Sequence, residues 1–199
     1  MGEDKRKQTP ECFRNGVLFI EGLNYSGVRD WLIQELKDES HRLAGNSDDQ
    51  PVQAIINHAQ CLSGESLGKL NVGLCTIVDS WREGESFELP FLRYLFSLIG
   101  ELRVTVVKKR LLEINYKTLS DEYRCIVLRA VASLSEKSES KFWESIARDC
   151  PCFGGMAFQV LWRIHPEAAI DILPILDWRV EHVRNTVPYI LKEGLLKKG

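Results

Sequence analysis

The sequence predicts an all-α fold: a short α-solenoid of about five antiparallel helix pairs. Two observations carry this. Over most of the chain, apolar residues recur at i, i+3, i+4 and i+7, the spacing that gathers them on one face of a helix. The first helices of successive pairs begin near residues 27, 66, 103, 138 and 166. That period drifts from about 39 to about 28 residues, as in arrays of stacked helix pairs. With 199 residues the chain is long enough for one domain with a substantial core.

Residues 1–15 are polar and mixed in charge and are expected to form a mobile tail. The helical-repeat domain then covers 16–199. V-L-F-I at 17–20 is too short to classify by period and is placed as a cap on the open end of the stack. Ser26 is the expected N-cap of a helix over 26–44, whose period is shown by Val28, Trp31, Leu32 and Leu36. G-N-S-D-D-Q-P at 45–51 is a loop. A helix over 52–62 follows, with Ile55, Ile56, Ala59 and Leu62 on one face. The next, over 66–81, turns Leu70, Leu74, Ile77 and Val78 inward. It carries Gly68 and Gly73, each costing about 1 kcal/mol relative to alanine, which points to close helix contact at those positions.

The helix over 89–102 has so few polar positions that it is expected to be the most buried. At 104–114, V-T-V-V favours a strand and K-K-R-L-L-E-I a helix; the helical surroundings decide for a helix. Thr118 with Asp121 has the spacing of a capping box ahead of Tyr123, Ile126, Val127, Ala130, Val131 and Leu134. Ser138 is the expected cap of a helix bearing Phe142, Trp143, Ile146, Ala147 and Cys150, and Pro151 stops it. Gly154 and Gly155 are placed in a loop before Ala157, Val160, Leu161 and Ile164. The last pair is a helix over 166–176 and another over 178–191. Pro166 suits the first turn of the former, and Asp177 is the N-cap of the latter.

Pro174, Asp177 and Arg184 carry a resemblance. A proline that kinks the first helix, an aspartate in a very short turn, and a V-R pair in the second helix resemble the HEAT-repeat unit. The likeness covers about one repeat, 166–192. It implies a right-handed stack whose second helices line a concave surface, and a scaffold, adaptor or inhibitor without enzymatic activity. Fold alone does not decide function.

Composition narrows the alternatives. Formal net charge is -2 and the sequence pI is about 6.1, without the basic surplus that general nucleic-acid binding needs. M-G-E-D-K-R-K is followed by no signal-peptide core, and Gly2 lacks a myristoylation motif. The longest apolar stretch, 89–99, is broken by Arg93 and too short to span a bilayer. A cytoplasmic monomer is expected. Six irregularly spaced cysteines then read as free thiols. Cys150-Pro-Cys152 lacks a matching second ligand pair for zinc. His41, His58, His165 and His182 are scattered, and S-G-E-S-L-G-K-L at 63–70 lacks the spacing of a phosphate loop. No catalytic residue, metal or cofactor is expected.

The candidate site is a protein-binding surface. Trp162 and Arg163 lie off the apolar stripe of their helix, where Trp162 is either a partner anchor or packed under a neighbouring helix, and Trp178, Glu181 and Asn185 lie opposite the stripe of the last one. Tryptophan beside charge is the composition of a binding hot spot. A second reading is a nucleic-acid-binding protein similar to the HEAT-like DNA glycosylases, with Trp143, Asp149, Asp177 and Trp178 cast in the groove and Lys108, Lys109 and Arg110 as phosphate contacts.

Overall fold

The computed structural model describes residues 23–43 and 64–196. Among them all regular structure is helical: nine α-helices and four short 3-10 turns, with no strand. The expected helix over 52–62, the tail over 1–15 and the apolar run at 17–20 lie outside the described residues. No described helix is long and apolar enough to cross a membrane. The chain divides into two compact units, Met1–Leu111 and Leu112–Gly199.

The first unit holds α1 (Tyr25–Leu43), α2 (Gly64–Arg82), α3 (Leu89–Glu101) and nearly all of α4 (Thr105–Leu112). The cap expected at Ser26 lies two residues earlier, and the helix begins at Tyr25. Asn24 does the capping: its Oδ1 accepts from the Gly27 N–H at 2.8 Å and its carbonyl from the Val28 N–H. Gly73 lets α1 and α2 approach closely. A Cβ there would stand 2.9 Å from Leu32 Cδ1, whereas Gly68 faces open space. Arg110 Nε donates to both carboxylate oxygens of Asp79, each at 2.8 Å, and ties α4 to α2. In the V-T-V-V segment, Val104 and Val107 are buried and Val106 is exposed, a spacing of three that belongs to a helix.

α3 is the core of this unit, with Phe91, Leu92, Leu95, Phe96, Leu98 and Ile99 all buried. It closes in a Schellman turn. The Val104 N–H reaches the Ile99 carbonyl and the Arg103 N–H reaches that of Gly100. Arg103 occupies the left-handed position at φ 50, where glycine is usual. Holding an L-residue there costs roughly 1–2 kcal/mol. Arg103→Gly is therefore expected to stabilise the protein by about 0.5–1 kcal/mol, read as an increase in the urea midpoint. A lower midpoint would show that the Arg103 side chain contributes more than its backbone costs.

The second unit holds α5 (Asp121–Leu134), α6 (Ser140–Asp149), α7 (Gly154–Ile164), α8 (Pro166–Asp171) and α9 (Glu181–Leu196). Short 3-10 turns lie at Tyr116–Thr118, Lys137–Glu139, Pro151–Phe153 and Leu173–Ile175. α7 is the hub, packed against α6, α8 and α9.

Several local expectations are corrected here. Thr118 caps nothing ahead of it: its hydroxyl donates back to the Asn115 carbonyl, and Ser120 is the N-cap residue. The capping box expected at Thr118 and Asp121 forms instead between Glu136 and Glu139, around the 3-10 turn before α6, while the Ser138 hydroxyl donates to Glu139. Gly154 and Gly155 are not a loop. They are the buried first turn of α7, seated against α9, where a Cβ on Gly155 would press on the His182 backbone at 3.1 Å. Pro174 does not kink a helix continuing to 176. α8 ends at Asp171 and Pro174 sits in the following 3-10 turn, because without an N–H it cannot extend the ladder. Asp177 caps a turn rather than α9: its Oδ1 accepts from the Arg179 N–H at 3.0 Å, and α9 begins only at Glu181.

Candidate protein-binding face

α9 is amphipathic by construction. Val183 and Val187 are fully buried, while Glu181, Arg184, Asn185, Pro188, Tyr189 and Lys192 are exposed. At about 100° per residue the two sets occupy opposite sides of the helix. Pro188 lies on the exposed side. Its missing N–H leaves the Arg184 carbonyl without its i+4 donor, a loss that water can make good only on a solvent-facing side.

The corner leading into α9 adds apolar surface. Ile170, Ile175 and Trp178 are each more than two-fifths exposed, and Tyr189 is 65% exposed, the highest value among the large hydrophobic residues described. Single exposed apolar residues are ordinary; here four fall within twenty residues of sequence. Beside Trp178, Asp177 and Arg179 form a two-pronged ion pair with both contacts at 2.9 Å. The hydrogen bonds from the Arg179 side chain and backbone hold the Asp177 carboxyl below the usual aspartate range. By linkage, this contribution to stability is present above the ordinary aspartate pKa and is lost as pH falls through the lowered value.

The five residues proposed for partner binding separate into two groups. Trp178, Glu181 and Asn185 are exposed at the corner and along α9. Trp178 stands in the turn before the helix rather than on its first turn. Trp162 and Arg163 serve the unit itself. The Trp162 ring stacks 5.9 Å from Phe158 and fills the space left by Gly194 on α9, so it is half-buried. The Arg163 guanidinium donates to the Ala132 carbonyl in the last turn of α5, where a cation complements the helix dipole. Tyr189 is the member that sequence reasoning missed. It stands four residues after Asn185 and eight after Glu181, so extending that stripe by one turn would have found it.

Three of the residues cast for a nucleic-acid groove have other occupations. Trp143 is fully buried, its Nε1 donating to Ser135 Oγ at 2.9 Å. Asp149 pairs with Lys117 at 3.3 Å, and Arg110 is committed to Asp79. Among the described residues no group of three His, Cys, Asp or Glu side chains is placed to hold a metal.

Cys150 is buried and Cys152 exposed; both are free thiols. Burial raises the pKa of each, Arg124 opposes the shift, and Asp121 adds to it, with its Oδ1 3.8 Å from the Cys152 sulfur. Only the thiolate is nucleophilic. Alkylation of Cys152 at pH 7 is thus expected to be slower than that of a small free thiol. Its rate should rise about tenfold per pH unit into the alkaline range. Peptide mapping after timed alkylation reads this out, and a rate plateau below pH 8 would contradict it.

Comparison with protein-family models, curated proteins and solved structures finds no match for this chain.

Proposed function

We propose that the protein is a non-enzymatic interaction module, a cytoplasmic scaffold, adaptor or inhibitor, that holds another protein. In this reading its helix pairs stack as a right-handed α-solenoid resembling HEAT repeats, and second helices such as α9 supply the binding surface. The observation that carries it is the joint exposure of Trp178 and Tyr189 beside Glu181 and Asn185. Exposed tryptophan and tyrosine are among the side chains that dominate protein–protein binding energy. Trp178 and Tyr189 form none of the described ring–ring stacking pairs, so burial against a partner would add contacts rather than exchange them.

The test is affinity capture from the native source followed by mass spectrometry, with wild type and a Trp178→Ala/Tyr189→Ala variant. The variant is expected to melt within a few degrees of wild type, because exposed substitutions change stability by about 0.5 kcal/mol or less. Partner capture should fall at least about tenfold, as truncation of a hot spot costs ~2 kcal/mol or more. Undiminished capture by a normally folded variant would move the binding surface elsewhere.

A further inference from the structure

The exposed face of α9 has an internal pattern. Glu181, Arg184, Asn185, Pro188, Tyr189 and Lys192 fall within an arc of about 140°. Four of them, Glu181, Asn185, Pro188 and Lys192, are spaced four, three and four apart, the seam along which two helices meet. The set is also self-complementary when reversed. Turned end for end about the point between Thr186 and Val187, Glu181 falls opposite Lys192 and Asn185 opposite Pro188, while Arg184 and Tyr189 come level on opposite flanks. Among the described residues neither Glu181 nor Lys192 makes an ion pair within the chain.

We propose that this face binds a second copy of the chain, with the two α9 helices packed antiparallel about a two-fold axis. The proposal names the partner of the face described above and rests on that reading. A two-fold interface uses the same patch on both copies, so each contact occurs twice. Here that gives two Glu181–Lys192 pairs at the ends of the seam. Arg184 and Tyr189 lie on opposite flanks of the seam and border it rather than meet across it. At the centre, Asn185 of one copy faces Pro188 of the other, beside the Arg184 carbonyl that Pro188 deprives of its helix donor. The Asn185 amide is the donor that this carbonyl lacks. Parallel packing would place Glu181 against Glu181 and Lys192 against Lys192, so charge selects the antiparallel arrangement. The seam is polar apart from Pro188, with Tyr189 at its flank, so the pairing is reversible and belongs to the micromolar range. The sequence alone points to a monomer; the reversed symmetry of this exposed stripe points to a pair.

Sedimentation velocity on the full chain tests the proposal up to about 100 μM. Wild type is expected to dimerise in that range. Glu181→Lys creates two like-charged lysine contacts per dimer, and Lys192→Glu creates two glutamate contacts. Each is expected to weaken dimerisation at least about tenfold. Mixing these two variants places opposite charges together again and should restore a heterodimer. The double variant Glu181→Lys/Lys192→Glu should dimerise like wild type. Circular dichroism on each variant confirms that the fold is kept.

A wild type that stays monomeric throughout overturns the pairing. So does a dimer indifferent to charge reversal, which would lie on another surface, or single variants that mixing fails to rescue. The broader reading fails separately. If wild type is monomeric and captures a different protein through Trp178 and Tyr189, only the self-pairing is lost. If it is monomeric and the double alanine variant captures as wild type does, both are lost.

Discussion

Trp143→Ala is expected to destabilise the unit Leu112–Gly199 by ~3–5 kcal/mol, enough to remove much of the stability of a unit of this size. Trp143 is the largest fully buried side chain described. It packs edge-on to Phe142 at 5.3 Å, and its Nε1 donates to Ser135 Oγ, which itself donates to the Val131 carbonyl at 2.7 Å. Truncation leaves a cavity that the surrounding helices α5, α6 and α7 cannot fill without moving. Trp143→Phe separates the two contributions. It keeps most of the ring volume and loses the hydrogen bond, so about 1–2 kcal/mol is expected. Urea unfolding followed by circular dichroism measures both. If Trp143→Ala unfolds with the wild-type midpoint, Trp143 is not the centre of the unit. Its burial also accounts for its unsuitability as a nucleic-acid contact: a ring with no exposed surface stacks on no base.

The second large effect is expected at Trp162, and it is conditional on Gly194. Trp162→Ala removes a half-buried ring that stacks on Phe158 and lies against α9, so a loss of about 2–3 kcal/mol is expected. Gly194→Ala alone is expected to cost about 1 kcal/mol or more, although alanine is the better helix former by about that amount. The reason is steric. A Cβ on Gly194 would overlap Trp162 Cζ2 and stand 3.2 Å from Cε2, and a ring stacked on Phe158 has little room to yield. In the Trp162→Ala background the obstacle is gone, and the same Gly194→Ala change is expected to stabilise by up to about 1 kcal/mol. A change of sign across the double-mutant cycle is the signature of direct contact. Additive effects would mean that Trp162 and Gly194 do not touch, and would return Trp162 to the candidate binding surface.

The helical identity of the described segments was legible in the sequence because amphipathic periodicity is a local property. The stripe Tyr123, Ile126, Val127, Ala130, Val131 and Leu134 lies on α5, and the apolar run over 89–102 became the buried α3. Even the β-branched V-T-V-V segment followed its neighbours into a helix. Local too was the exposure of Glu181 and Asn185, since a helix with one buried stripe must present the opposite side to solvent.

Where helices begin and end depended on competing partners. Thr118, Ser138 and Asp177 all have capping chemistry, but each is drawn into an adjacent short turn, and α9 starts four residues after Asp177. A side chain that can satisfy one of several nearby backbone groups does not say from sequence alone which it takes. The sites of close approach were decided only in three dimensions. Gly155 meets His182, Gly73 meets Leu32, and Trp162 meets Gly194 thirty-two positions along the chain. Nothing within one turn of Trp162 distinguishes a tryptophan waiting for a partner from one covered by a glycine on another helix. By itself, then, the sequence determined which segments are helical and which face of each is apolar. Tertiary packing decided which apparently free side chains remain free, because burial is set by residues distant in sequence. That is why Trp162 is half-covered by α9 and the exposed Arg163 is tied to Ala132, while Trp178, Glu181, Asn185 and Tyr189 stand at the surface.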